Sequence, residues 1–152
     1  MINLFSKNLD SSMTIGELYQ FLLKDKFDIS MLLEYIDTYD IEKEANKNEF
    51  LSMYYMLITD SQNLLLANII RSNYSIKELI ATHFLSRLLM RYKNHNASSI
   101  FNIIRIMSIK AHNMYGLNRS EEVVRVEDHS HVLIFNGRTN TLVSIFSKNN
   151  TF

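Results

Sequence analysis

Residues 98–116 read SSIFNIIRIMSIKAHNMYG, and beyond them the pattern changes to EVVRVE at 122–127, HVLIF at 131–135 and LVSIF at 142–146. In the first stretch Ile100, Ile103, Ile104, Met107, Ala111 and Met114 recur at the three- and four-residue spacing that lines one side of a helix. Gly116 stands where a left-handed C-terminal cap is expected. The later stretches are short, rich in β-branched and aromatic residues, and bounded by turn residues, which is how strands read. Asn136-Gly137 opens the last turn, but Arg138-Thr139-Asn140-Thr141 make it longer than a two-residue hairpin loop. So small a sheet is marginal alone and must pack on helices. The expected fold is therefore mainly α, about six helices in a compact bundle over about 13–115, with a small C-terminal antiparallel β-element over about 121–147.

Upstream, the helical spacing recurs with recognisable starts. Thr14 and Glu17 form a capping box ahead of Ile15, Leu18 and Leu22, each side chain satisfying a backbone N–H that the first turn leaves open. Asp28 caps a second helix bearing Ile29, Leu32, Leu33 and Ile36. Asp40 starts a third, which runs to about Thr59 through Ile41, Ala45, Leu51, Tyr54, Tyr55 and Ile58. Asp60 or Ser61 starts a fourth, apolar around much of its girth and so placed centrally, which ends at Ser72-Asn73. Ser75 and Glu78 form a second capping box, expected to open the longest regular helix at about 76–93. These faces put Leu65, Ile69, Leu88, Ile103 and Ile104 in the central core.

The 152 residues suit a single domain over 1–152, with 47% hydrophobic and 21% charged residues, the balance of an ordinary globular chain. Cysteine is absent, which excludes a disulfide framework, a thiolate zinc site and a cysteine nucleophile, and fits a reducing compartment. Met1 to Lys7 lack the basic-then-apolar order of a signal peptide, and apolar runs such as Leu64 to Ile70 fall short of a membrane span. The expectation is a soluble cytoplasmic protein with no membrane association. Proline is absent and glycine occurs three times, so Asn, Asp and Ser must supply the turns. Abundant Ile, Asn and Lys with little Ala reads as an AT-rich genome, as in a low-GC bacterium, a phage or a virus. A viral protein or bacterial effector would act in the host cytoplasm.

The distribution of charge departs from the average. Residues 1–60 hold eleven carboxylates and five lysines, a net of −6, whereas residues 76–119 hold seven basic residues against Glu78 alone, a net of +6. Either the basic helices bind phosphate or an acidic partner, or the two halves face one another within the fold. Arg87 and Arg91, four residues apart, project from one helical face, with Lys93 close behind, and two guanidiniums there can grip a phosphate or carboxylate. These three are the candidate binding residues. Phe27, Tyr35, Tyr39, Tyr54, Tyr55, Tyr92 and Tyr115 are either core aromatics or exposed anchors for a partner.

Of the five histidines, His83 falls on an apolar face and reads as a core residue. His129 and His131 share one face of an extended strand. Phosphate-cradling glycine loops, a GxSxG elbow, an HExxH pair and a calcium loop are all missing. The order of helices and then a small sheet bearing His129, His131, Arg138, Thr139, Thr141 and Ser144 resembles the compact ribonuclease toxins related to RelE and colicin domains. That resemblance covers about residues 120–147 and implies a metal-independent site with a histidine as general acid or base and Arg138 stabilising the phosphorane.

Two functions follow. The first is a non-enzymatic helical interaction protein, a regulator, inhibitor or adaptor, binding a protein partner, or nucleic acid through the basic helices, with no cofactor and no metal. The second is the ribonuclease-type toxin with its site on the C-terminal sheet. They part on one spatial question: whether His129 or His131 shares a cleft with Arg138 and a hydroxyl.

Overall fold

Six helices and four strands make up the described residues of the computed structural model, which are 12–23, 30–38, 44–115 and 123–148. The Thr14–Glu17 capping box forms as expected: the Glu17 N–H donates to Thr14 Oγ1 at 3.2 Å and the Thr14 N–H to Glu17 Oε1 at 2.9 Å. It opens α1, Ile15–Leu23, which buries Leu18, Tyr19, Leu22 and Leu23. Gly16 lies against the Lys93 backbone, to whose carbonyl its N–H donates at 2.9 Å. A Cβ there would stand 2.9 Å from Lys93 Cγ, so the approach needs glycine.

Helix α2 is Ser30–Asp37 and α3 is Glu44–Leu57. The starts expected at Asp28 and Asp40, and the cap expected at Gly116, lie outside the described residues. Helix α4, Asp60–Tyr74, begins at the first of the two expected starts, where Thr59 is the cap and trades hydrogen bonds with Gln62. It runs past Ser72-Asn73 to Tyr74 and ends at Ser75, whose backbone is left-handed with φ 57°.

The second capping box does not open a helix. Ser75 terminates α4, its N–H donating to the Arg71 carbonyl, and Glu78 turns inward instead of back over a first turn. Residues 79 and 80 are extended as β1, Leu79–Ile80, and the next helix, α5, starts later, at Thr82–Tyr92. Among the described residues the longest helix is therefore α6, Ala97–Tyr115, and not the one expected over 76–93.

The C-terminal strands are β2 (Val124–Glu127), β3 (His131–Asn136) and β4 (Thr141–Ser147). They pair antiparallel as expected, Val126 facing Leu133 and Leu133 facing Ile145. The expected purely antiparallel element is nonetheless incomplete. β1 adds to the free edge of β4 in parallel, Leu79 beside Thr141 and Ile80 beside Leu142, giving a mixed sheet ordered β1-β4-β3-β2. Two residues of strand carry no readable period, and their pairing is decided by a partner far along the chain.

One hydrophobic core joins helices and sheet. Ile69, Leu88 and Ile104 are buried in it, while Leu65 and Ile103 are partly buried against it. In α6 the buried positions are Ala97, Ile100, Phe101, Ile104, Met107, Ser108 and Ala111. That stripe is rotated toward Phe101 and Ser108 and away from Ile103. No helix among the described residues is long and apolar enough to cross a membrane.

Candidate functional site

The three candidate basic residues part company. Arg91 turns to the sheet: its Nη1 donates to Ser144 Oγ at 3.1 Å and to the Ile145 carbonyl at 3.0 Å, and its guanidinium lies 5.7 Å from the Phe146 ring. It ties α5 to β4. Lys93 forms an ion pair with Asp37 on the acidic α2 and donates to the Leu33 carbonyl at 3.4 Å. Here basic and acidic segments do face one another. Arg87 makes no ion pair among the described residues.

Its neighbour is His83, half-buried one turn earlier in α5. Burial, helped by the Arg87 charge, lowers the imidazole below its ordinary pKa of 6.5. With the folded value below the unfolded one, His83 contributes stability that is complete above 6.5 and is lost as pH falls from there toward the depressed value. An NMR titration of the His83 ring should show a midpoint below 6.5, moving upward in Arg87→Gln. A midpoint at or above 6.5 in the wild-type protein would place His83 in the wrong environment.

The enzyme-like grouping is spread along a strand. His131 begins β3, its ring 6.2 Å from Tyr92 and its Nδ1 3.9 Å from Asp128 Oδ1. That carboxylate accepts the Ser130 and His131 N–H groups at 2.7 and 2.6 Å, an Asx turn that shapes the β2–β3 connection. His129 is exposed in the same turn. Arg138 and Thr139 occupy the β3–β4 turn at the other end, where their N–H groups donate to Asn136 Oδ1. The length of β3, roughly 20 Å at about 3.3 Å per residue, separates histidines from arginine. Ser144 is held by Arg91 and Thr141 by Thr139.

A cavity of about 600 Å³ lies elsewhere, between α6, the segment leading into β1, and the β3–β4 turn. One wall holds the buried Glu78, 4% exposed as a residue, with Oε2 2.6 Å from His112 Nε2. The imidazole leans on Phe135 with ring centroids 6.4 Å apart. Ser108, one helical turn before His112, also lines the cavity. It stands in the buried stripe of α6 where an apolar residue would ordinarily sit, and its Oγ has no hydrogen-bond partner. Asn140, left-handed at φ 55°, brings a second buried and unpartnered oxygen, Oδ1. Lys77 and Arg105 supply positive charge, and Arg105 Nη2 donates to Asn102 Oδ1 at 2.6 Å. Arg105 also borders a smaller hollow of about 290 Å³ beside Tyr74, Ser98 and Asn102.

Glu78, His112 and Ser108 are the residue types of a hydrolytic triad, and the carboxylate–imidazole contact is present. The serine–imidazole hydrogen bond is not, so the nucleophile has no base. Among the described residues no group of three His, Asp or Glu side chains is placed to hold a metal ion. Sequence reasoning passed over this cavity. Its signals were Glu78, the lone acid in a basic stretch, and the polar pair Ser108 and His112 interrupting an apolar helix at a spacing of four.

Of the tyrosines weighed as partner anchors, Tyr54 and Tyr92 are buried, Tyr35 is half-buried and Tyr55 is 47% exposed. Phe27 and Tyr39, and the Tyr115 side chain, lie outside the described residues. Compared with protein-family models, curated proteins and solved structures, the chain matches none of them.

Proposed function

We propose that this chain is a non-enzymatic interaction protein, a regulator, inhibitor or adaptor, that binds another macromolecule in the cytoplasm of its own cell or of a host. The observation carrying this reading over the ribonuclease alternative is the separation of His129 and His131 from Arg138 and Thr139 by the length of β3. General acid–base chemistry on a phosphodiester needs the base and the phosphorane-stabilising cation within a few ångströms of one phosphorus, and these groups cannot meet there. The partner, in this reading a protein with an acidic face, meets the basic surface. Arg87, Lys77 and Arg105 are its available cations, since none forms an ion pair among the described residues.

A direct test incubates the purified protein with single-stranded and structured RNA without divalent ions. No cleavage above a buffer control is expected. Cleavage that disappears in His131→Ala or Arg138→Ala would establish the alternative. For the binding half, proximity labelling in the native cell should yield a partner set that is lost in Arg87→Glu with the fold retained. Binding by a purified member of that set should weaken with added salt, because exposed charges are screened.

A further inference from the structure

Helix α6 carries a second stripe beside its buried one. Ser99, Asn102, Ile106, Ile109 and Asn113 are all exposed, and their spacing is that of the a and d positions of a heptad seam. Ile106 and Ile109, 53% and 50% exposed, form its apolar centre. Lone exposed hydrophobics are ordinary on a protein surface, but these two are neighbours on one helix face. Ile109 also lines the cavity of about 600 Å³, whose open surface is mainly apolar, so the seam continues into a groove.

The same spacing puts Arg105 on one flank of the seam and Lys110 on the other, at g and e positions. Neither forms an ion pair among the described residues. Lys110 Nζ donates to the Glu127 carbonyl at 3.0 Å, a neutral acceptor that leaves the charge standing. Lys77 lines the opposite wall of the groove. Helix α6 has no acidic residue, and the carboxylates close by are engaged, Glu78 with His112 and Glu127 with Arg125 and Lys148.

We infer, on the reading above that the partner is an acidic protein, that this seam receives an acidic amphipathic helix of that protein. Its apolar side chains sit against Ile106 and Ile109, and its carboxylates lie over Arg105 and Lys110. Helix-in-groove recognition uses anchors at this three- and four-residue spacing. A second copy of this chain does not fit the seam. Pairing α6 with itself in either orientation sets Arg105 and Lys110 against the same cations, and like charges across an interface are costly. Nucleic acid would use the cations and leave both isoleucines idle.

The probe is a labelled three-heptad peptide with leucine at a and d and glutamate at e and g. One control replaces the glutamates by lysine, the other the leucines by serine. Fluorescence anisotropy with the full chain should show the acidic peptide binding about tenfold more tightly than either control. Combining Ile106→Ser with Ile109→Ser should weaken it by about tenfold, with the circular dichroism spectrum unchanged. Wild-type amide shifts should concentrate between Asn102 and Asn113, a readout that holds even if a variant misfolds. The inference is overturned by no binding of the acidic peptide at millimolar concentration, by equal binding of either control, or by shifts away from α6. A wild-type dimer that the double serine variant abolishes would overturn it in favour of a second copy. Tight RNA binding that the same variant leaves intact, with no peptide binding, would overturn it in favour of nucleic acid. In the native cell the partner set should be lost in the double serine variant as in Arg87→Glu. Loss in Arg87→Glu alone spares the acidic-partner reading and removes the α6 seam, whereas a set that neither disturbs removes both.

Discussion

Replacing Phe101 with alanine is expected to destabilise the protein by about 3–5 kcal/mol, the range for emptying an aromatic site in a packed core. Phe101 is fully buried on α6 and stacks on Tyr74 at the end of α4, ring centroids 4.5 Å apart and 26° between planes. The truncation removes apolar burial and leaves a cavity between two helices that cannot close it without moving. Ile103→Ala should cost less than half as much, since Ile103 only borders the core. Urea denaturation of the two variants settles the order. If Ile103→Ala proves the more damaging, the buried stripe of α6 has been assigned to the wrong side of the helix.

A second large effect is expected at Arg91. Arg91→Met should cost about 2–3 kcal/mol, because two hydrogen bonds from a charged donor vanish and leave the buried Ser144 hydroxyl and Ile145 carbonyl to find other partners. Arg91→Glu should cost more, as it places a carboxylate against a carbonyl oxygen. Arg87→Glu, one turn away, should change stability by no more than about 0.5 kcal/mol, as usual for a side chain that forms no ion pair, here among the described residues. Thermal melts of the single variants therefore divide a pair that the sequence presents as equivalent. Equal destabilisation by the two charge reversals would show that the clamp on β4 contributes nothing. A double reversal of both arginines is a poor probe of binding, because its Arg91 half disturbs the fold.

The contrast between these arginines shows where sequence reasoning stops. Helical periodicity and the capping box at Thr14 are local, so α1 and α4 are readable, as is the switch to β-branched runs after residue 122. What decides the role of Arg91 is Ser144, 53 residues away, and what decides that of Glu78 is His112, 34 residues away. Neither pairing leaves a spacing that a window of neighbours can detect. The Ser75–Glu78 pattern goes further and misleads, since the same residues fit a helix start and an inward-turned carboxylate equally well. Charge segregation was legible as a fact. Its use was not: Lys93 meets Asp37 within the fold, while Lys77 and Arg105 line a cavity.

The parallel strand β1 has a consequence for the way the chain is made. Its hydrogen-bonding partners lie on β4 and the turn before it, so Leu79 and Ile80 leave the ribosome well before Thr141 and Leu142 exist. At roughly 5–20 residues per second that interval lasts several seconds, during which α1 to α5 are available to associate but the edge beside them is bare. The cavity wall built from Glu78 and Asn140 is likewise open through that time. A nascent chain arrested before β4 should thus be helical, partly collapsed and sticky along residues 79–80, and only the arrival of β4 should seal it.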